Sequence, residues 1–476
     1  MGSSKTQPAR GMRDFLPADV RRREYVIGVI KDVYERYGFE PLETPAVENI
    51  ETLMGKYGEE GNQLIYKILK RGEHAGSKGK EDENLADLAL RYDLTVPLAR
   101  VVAEYRDSKL PRLFKRYQIQ PVWRADRPAR GRFREFYQCD VDILDSTSTL
   151  VEVEICSAAT DVLVELGFRN FTIRLNHRKV LTALLNAVGV SQAKHGEALV
   201  AIDKLDRLGE EGVQLELRDR GIATEELLKW VSVVYRSKRS GELSGEDGID
   251  LGPYNSAVVG SLRERIGSDQ QGNDGLNELE SILELAMETS AGSRIRVDPS
   301  LARGLSYYTG SILEIEAEGM KGSLGGGGRY DDLIGMFLGK DQRVPACGFS
   351  LGLERIIVLM SEREMFPSEL VSAPADVMVM VSYHKDAVEK VEAAKDSLSL
   401  ARHLRASGLR VYLYPLRNVQ ITKQRTYAFK RGFPLASIVG DDDRERGEVT
   451  LIDLRTGEDQ KVKRDMAVEA IRTRLK

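Results

Sequence analysis

Arginine stands beside glycine three times between residues 301 and 357: in LARGLSYYTG (301–310), in SLGGGGRYDDL (323–333) and in CGFSLGLERII (347–357). Glycine lets a backbone come close to a ligand, and the arginine fork grips phosphate or carboxylate at two points. Arg303 precedes Gly304, Arg329 follows four glycines, and Arg355 lies in a turn-to-helix segment. One such block is common. Three in so short a stretch, separated by the strand-like SILEIEAE, predict one site folded around a polyanionic small molecule.

A second group of charges lies upstream, in WRADRPARGRFREFYQ (123–138). Two strands joined by a basic loop could hold ATP in bent form, with Arg124 at the α-phosphate, Arg132 at an outer phosphate and Phe136 against the purine. Taken alone, such a hairpin reads first as a solvated surface feature, since arginine is mostly exposed. Arg303 would neutralise charge developing on a phosphoryl centre, although a surface turn with Tyr307 and Tyr308 astride a strand fits the same letters. GGGGRYDD is too short and too poor in serine for a flexible linker, and it runs into the helix-like YDDLIGMF. It is therefore expected to be a loop that covers substrate. Arg355 is a charge within an apolar stretch and needs an anionic partner, either a carboxylate of the fold or a nucleotide phosphate. The five histidines (His74, His177, His195, His384 and His403) are scattered beside no evident nucleophile, and none is given a catalytic role. There is no Walker-type phosphate loop and no GxGxxG after a strand.

The elements that must position these residues are legible in outline. Apolar Val26, Ile27, Ile30, Val33 and Tyr34 predict a helix over 18–38 ending at Gly38. FEPLETPAVE (39–48) is extended because its prolines forbid a helix interior. LALRYDLTVPLARVVAEY (88–105) passes from strand to a helix opened by Pro97. Residues 113–144 predict two strands joined by a loop from Asp126 to Gly131, and a long helix follows over 149–166. The polar stretch 72–84 is expected to be an exposed loop. Helical Leu/Glu/Arg-rich sequence fills 177–292, weakened by the glycine-rich 240–252, and strands return at 294–318. After a helix at 352–363 and a linker-like stretch, strands alternate with helices from 375 onward and end in a hairpin over 447–464. That pattern argues for a small α/β domain.

The 476 residues exceed one ordinary core, so two or three domains are expected. A charge of −4 confines any nucleic-acid surface to a local basic patch. Cys139, Cys156 and Cys347 are far apart and without metal-ligand spacing. They read as buried structural thiols in a reduced, cytoplasmic setting. No apolar run reaches membrane-spanning length, and the first residues carry no apolar leader.

Together these blocks resemble the class II aminoacyl-tRNA synthetases. RPARGRFREFYQCDVDI resembles their second signature motif, GFSLGLERII the third, and ETPAVE with Pro45 the first. LARGLSYYTG and LGGGGRYDDL look like the two blocks peculiar to histidyl-tRNA synthetases, and LRYDLTVP (90–97) fits the same family. The likeness covers most of the chain and is weak only over 177–292. It implies an α+β fold: an antiparallel sheet flanked by helices, with a helical insertion and a C-terminal α/β anticodon-binding domain. The implied layout is a catalytic domain at 1–176 and 293–365, an insertion at 177–292, a linker at 366–374 and the anticodon domain at 375–476.

The resemblance also implies roles. Asp93, Thr95 and Gln138 would hold the amino group of L-histidine. Asp142 and Tyr308, with Tyr307 beside them, would recognise its imidazole. Arg124 and Arg355 would grip ATP, Arg132 its outer phosphates, Asp126 would lie near adenine, and Phe136 would stack on it. Arg303 would take the place of a catalytic metal beside the α-phosphate, and no protein-bound metal is expected. The family's usual RGLDYY has aspartate where this chain has Ser306. Mg²⁺ would accompany ATP, tRNA(His) would be the acceptor, and Pro45 would lie at a homodimer interface. The alternative is a non-catalytic, histidine-sensing regulatory subunit, which would lack the anticodon domain and erode the arginines.

Overall fold

The computed structural model describes residues 6–70, 85–240, 251–302, 307–339, 342–370, 373–382, 387–416 and 419–475. The chain divides into two compact units, Met1–Met365 and Phe366–Lys476. The loop expected at 72–84 and most of the glycine-rich stretch at 240–252 lie outside the described residues.

The first unit opens with α1 (Pro17–Arg36), β1 (Glu40–Pro41), β2 (Val47–Asn49), α2 (Ile50–Leu53), α3 (Gly58–Gln63), β3 (Lys67–Leu69), β4 (Ala86–Leu90) and α4 (Thr95–Tyr105). β5 (Phe114–Trp123), β6 (Glu135–Leu144), α5 (Leu150–Glu165) and β7 (Phe171–His177) follow. Six helices come next: α6 (Arg178–Ala187), α7 (His195–Ile202), α8 (Leu205–Asp219), α9 (Glu225–Ser240), α10 (Gly252–Ile266) and α11 (Gln270–Ala286). The unit closes with β8 (Ile295–Val297), β9 (Ser311–Ala317), β10 (Gly325–Arg329), α12 (Gly335–Leu338), β11 (Ala346–Gly352) and α13 (Leu353–Glu362).

Eight of these strands form one sheet in the order β1-β5-β6-β11-β10-β9-β7-β8. Its interior pairings are antiparallel, and only the outer pairs β1/β5 and β7/β8 are parallel. Parallel neighbours cannot be joined by a tight turn, so the chain between β7 and β8 must cross over. It does so through α6–α11, of which α10 packs on β8 and α11 on β7 and α5. The far face of the sheet is apolar: Cys139, Val141 and Ile143 of β6 alternate inward, under α1, α5 and α13. In α1 the buried side chains are Val26, Ile30, Val33 and Tyr34, at the spacing predicted, and Gly38 stops the helix with φ +75°. A small sheet, β2-β4-β3, lies beside the opposite face.

The GGGGR block is not a loop that covers substrate. It is β10, an interior strand held between β9 and β11. A Cβ on Gly327 would stand 2.1 Å from the Gly348 carbonyl oxygen, and one on Gly328 2.4 Å from that of Ser311. The glycines are there because neighbouring backbones leave no room for side chains.

The second unit runs β12 (Val377–Val379), α14 (Ala387–Ala406), β13 (Val411–Leu413), α15 (Ile421–Lys430), β14 (Leu435–Ile438), α16 (Asp441–Arg446), β15 (Glu448–Asp453), β16 (Asp459–Lys463) and α17 (Ala467–Leu475). Its sheet has the order β13-β12-β14-β15-β16, parallel across the first three strands and antiparallel across the last three. Val377 and Val379 join one apolar cluster with Leu400 and Leu404, while Met378 and Met380 join another with Phe433. Two covered faces make a self-contained core. The closing helix α17 follows the hairpin and is not among the elements the sequence predicts. Among the described residues, no helix is long and apolar enough to cross a membrane.

Candidate active site

The near face of the large sheet is built in rows. Register sets Arg116, Asp142, Gly348 and Gly328 across β5, β6, β11 and β10 in one row. Gln118, Asp140, Ser350 and Gly326 form the next, and Gln120, Gln138 and Gly352 the third. Side chains two apart on a strand share a face, so polar groups on β5 and β6 confront a floor of glycine on β10 and β11. The glycine beside Asp142 is required, because a Cβ on Gly348 would lie 1.9 Å from Asp142 Oδ1. The result is a recess floored by backbone and walled by hydrogen-bonding groups.

In the first row the Arg116 guanidinium is fully buried and stands 2.7 Å from Asp142 Oδ2, held by charge without a hydrogen-bond angle. It donates through Nη1 to Gln118 Oε1 at 3.0 Å. The Tyr330 hydroxyl donates to Asp142 Oδ1. Burial pushes the Asp142 carboxyl up, and Arg116 opposes it. In the second row burial raises Asp140 to about 7, again against Arg116, with Asp142 adding to the rise. Gln138 donates to Ser350 Oγ at 2.9 Å.

One wall is the start of α4. Asp93 Oδ1 accepts from the Tyr57 hydroxyl at 3.0 Å and from the Val96 N–H at 3.0 Å, and Oδ2 accepts from the Tyr307 hydroxyl at 3.2 Å. Burial raises this carboxyl too, while the Val96 N–H and the charge of Arg124 pull it down. Thr95 opens α4 two residues on and hydrogen-bonds to Tyr307. Tyr307 meets Tyr308 edge-on with ring centres 5.3 Å apart, and Tyr330 at 6.0 Å. Asp93, Thr95, Gln138, Asp142, Tyr307 and Tyr308, drawn from three separate stretches of chain, therefore line one region.

At the mouth, Arg124 donates through Nε to the Tyr92 carbonyl at 3.0 Å. Its guanidinium lies 4.3 Å from the Tyr92 ring centre and 5.2 Å from that of Phe136. Arg132 and Asp126 form a two-point pair, Nη2 to Oδ1 at 2.8 Å and Nε to Oδ2 at 3.2 Å. A nucleotide phosphate would compete with Asp126 for that exposed fork. Arg355, at the start of α13, donates to the Ser323 carbonyl and flanks Gly131 and Gly322, whose Cβ positions would lie 3.1 Å and 3.3 Å from it. Pro45 is exposed, and its carbonyl accepts from Arg91 Nη1 at 3.3 Å. Arg303 and Ser306 lie outside the described residues.

Two readings need correction. Arg329 is no ligand arginine. It points to the far face and grips Glu152 at two points, both 2.8 Å, with further bonds to the carbonyls of Ser146 and Ser148. The deeply buried charge of motif three is not Arg355, which is half-buried, but its neighbour Glu354 at 3% exposure. Both Glu354 oxygens accept from the Tyr137 N–H, and burial lifts the carboxyl to about 7. Among the residues the sequence reading passed over are Tyr57, Arg116, Asp140 and Tyr330. For Arg116 and Asp140 a signal existed: RYQIQ and QCDVD alternate polar with apolar inside otherwise buried strands. Tyr57 and Tyr330 had none, because their partners are distant in sequence.

An antiparallel sheet with buried acids on one inner strand and arginines where its motif-two hairpin opens is the catalytic core of a class II aminoacyl-tRNA synthetase. A family model described as Histidyl-tRNA synthetase matches residues 11–231 and 252–356, and one described as Anticodon binding domain matches 376–474. The histidine–tRNA ligase of Gloeobacter violaceus is 40% identical over 484 residues, spanning 98% of each chain. That of Flavobacterium johnsoniae is 39% identical over 490 residues, 96% of this chain and 97% of its own. The crystal structure of histidyl-tRNA synthetase from Nostoc sp. PCC 7120 matches with a TM-score of 0.77 at 31% identity, over 99% of this chain and 100% of that one. An ATP phosphoribosyltransferase regulatory subunit/histidyl-tRNA synthetase from Bacillus halodurans shares the fold at a TM-score of 0.67 and 20% identity, over 89% and 96% of the two chains. The chain belongs to the histidyl-tRNA synthetase family.

Proposed function

We propose that this chain is a histidine–tRNA ligase that activates L-histidine with ATP and passes the histidyl group to the 3′ end of tRNA(His). The observation that carries the reading is the polar recess on β6. It gathers a carboxylate at the start of α4, acids and an amide on one strand, and phenols from a third segment around a glycine floor. A site lined with buried hydrogen-bonding groups rejects amino acids that leave those groups unpaired.

In this reading Asp93, Thr95 and Gln138 hold the α-amino group, and Asp142, Tyr307 and Tyr308 face the imidazole. Arg124 and Arg355 hold ATP bent over the hairpin. Arg132 leaves Asp126 to meet the outer phosphates, Asp126 turns toward adenine, and Phe136 stacks on it. An oxygen of the histidine carboxylate attacks the α-phosphorus, and the bond to the bridging oxygen breaks, releasing pyrophosphate. Arg303 neutralises the charge that develops there. The step asks for alignment and positive charge more than for a proton acceptor. A ribose hydroxyl at the tRNA 3′ end then attacks the acyl carbon, and AMP leaves.

Mg²⁺ would enter with ATP, held by its phosphates. Among the described residues no group of three His, Cys, Asp or Glu could hold an ion, and no step here runs through one. We further take the protein to be a cytoplasmic homodimer joined through the exposed edge at Pro45. Residues 375–476 would read the anticodon beyond a linker at 366–374, and 177–292 would be an insertion in a catalytic domain spanning 1–176 and 293–365. The anticodon-domain match over 376–474 and the presence of Arg124, Arg303 and Arg355 speak against a regulatory subunit. The test is ATP–pyrophosphate exchange with each of the twenty amino acids. Exchange is expected with histidine alone, and its absence would favour the regulatory alternative.

A further inference from the structure

Asp140 has no part in the roles set out above, yet it occupies the middle row of the recess, between Gln138 and Asp142 on the same face of β6. It is 2% exposed, and its Oδ1 has no hydrogen-bond partner among the described residues. The other acids of the recess are satisfied differently. Asp93 accepts three hydrogen bonds, and Asp142 is closed by the Tyr330 hydroxyl on one oxygen and the Arg116 charge on the other. Asp140 accepts a hydrogen bond from the Ser350 hydroxyl, which itself accepts from the Gln138 amide, and Oδ1 is left without a partner. Gln138, at 9% exposure, also presents an unpartnered acceptor, Oε1. Two orphaned acceptors two residues apart on one face form a ladder with a step of roughly 6.6 Å. Buried polar atoms are nearly always paired, so a pair of orphans in a recess marks where a ligand's donors go.

We propose that Asp140 is a further specificity-determining residue of the amino-acid pocket, its free Oδ1 accepting a ring N–H of the bound histidine. The inference rests on the ligase reading above. In that reading Gln138 and Asp93 hold the α-amino group at one end of the ladder, which leaves the substrate's side chain to reach the next rung. Only a side chain carrying an N–H at that reach satisfies Oδ1. An apolar side chain of similar length would strand it. Asp142 keeps its place facing the imidazole, anchored by Arg116 and Tyr330, and Asp140 adds an acceptor one rung away.

The test is Asp140→Asn in the full-length protein, with Asp140→Ala beside it. Histidine binding is measured by calorimetry, and so is binding of the two ring-N-methylated histidines. Melting temperature and the KM values for histidine and ATP are recorded for each protein. Burial outweighs the Arg116 charge and the Ser350 hydrogen bond at this carboxyl, and an amide keeps an acceptor for Ser350 without the buried charge, so Asp140→Asn is expected to melt at or above the wild-type temperature. In Asp140→Ala the Kd and KM for histidine should rise roughly 10- to 100-fold, the loss of one hydrogen bond to a charged group, and by less in Asp140→Asn, whose amide oxygen is a neutral acceptor, with the KM for ATP nearly unchanged in both. Discrimination against one of the methylated histidines should shrink in Asp140→Ala, because the acceptor that told them apart is gone. Unchanged histidine affinity overturns the proposal. So does a lowered melting temperature for both variants, which would make Asp140 a structural group, and so does weakened binding with undiminished discrimination. Should wild-type protein bind histidine but catalyse no exchange, the ligase reading fails while the calorimetry still judges Asp140.

Discussion

Arginine is the residue whose letter says least about its fate here. Arg303, Arg329 and Arg355 share a glycine-rich setting in sequence, yet Arg329 is locked to Glu152 behind the sheet and Arg355 stands half-open beside Gly131 and Gly322. Removing one partner of a buried pair leaves the other charged and unsolvated. Arg329→Ala should therefore lower the unfolding free energy by about 3–5 kcal/mol, read by guanidinium titration, with little change in the KM for ATP among molecules still folded. A variant of normal stability and poor ATP binding would restore Arg329 to the nucleotide. Arg303→Ala should do the reverse. With the role proposed for it beside the α-phosphate, its loss is expected to slow adenylation about 10²- to 10³-fold while calorimetric histidine affinity holds. Full turnover in that variant would remove it from the chemistry.

At the scale of elements, motif two and motif three are joined through Glu354. This carboxyl at the start of α13 accepts from the Tyr137 N–H of β6 and faces Arg13 at 4.0 Å. Burial raises it to about 7, so the folded chain keeps a proton there that the unfolded chain has lost. The sign follows from linkage: with more protons on the folded state, stability falls as pH rises from the ordinary glutamate range to about 7 and is flat above, as far as this group is concerned. The slope contributed is at most about 1.4 kcal/mol per pH unit. Glu354→Gln should flatten the decline in unfolding free energy between pH 5 and 7.5. Parallel curves for the two proteins would show that the carboxyl is already ionised in the fold. The glycine-rich β10 belongs to this scale too. Its letters suit a loop as well as a strand, and only the backbones of β9 and β11 on either side decide between them.

The whole molecule consists of two units with separate cores, the second closed on both faces of its own five-stranded sheet. A unit that buries its own apolar surface can be removed without exposing another's core. Deleting 375–476 should thus abolish charging of tRNA(His) while sparing most histidine-dependent exchange. Equal loss of both would show that the C-terminal unit does more than bind the anticodon. Much of this scale was legible beforehand. Strand–helix alternation from 375 onward has a short period and local causes, and the observed β12 to β16 follow it closely. The closing helix α17 has too short an apolar set to be told from a hairpin's tail by its letters alone.

What the chain announces by itself is local and chemical: helix α1 from its 3.6-residue spacing, the β5–β6 hairpin from its alternation, and a polyanion site from glycines with arginines. Those depend on neighbours a few residues apart. Which face each side chain took, and which groups were left without a partner, depended on register across four strands drawn from distant stretches. Arg329 turned away from the site because it is odd in the count of β10, and Asp140 turned toward it because it is even in the count of β6. A strand's parity has meaning only once its neighbours are paired, and that pairing is a property of the assembled sheet.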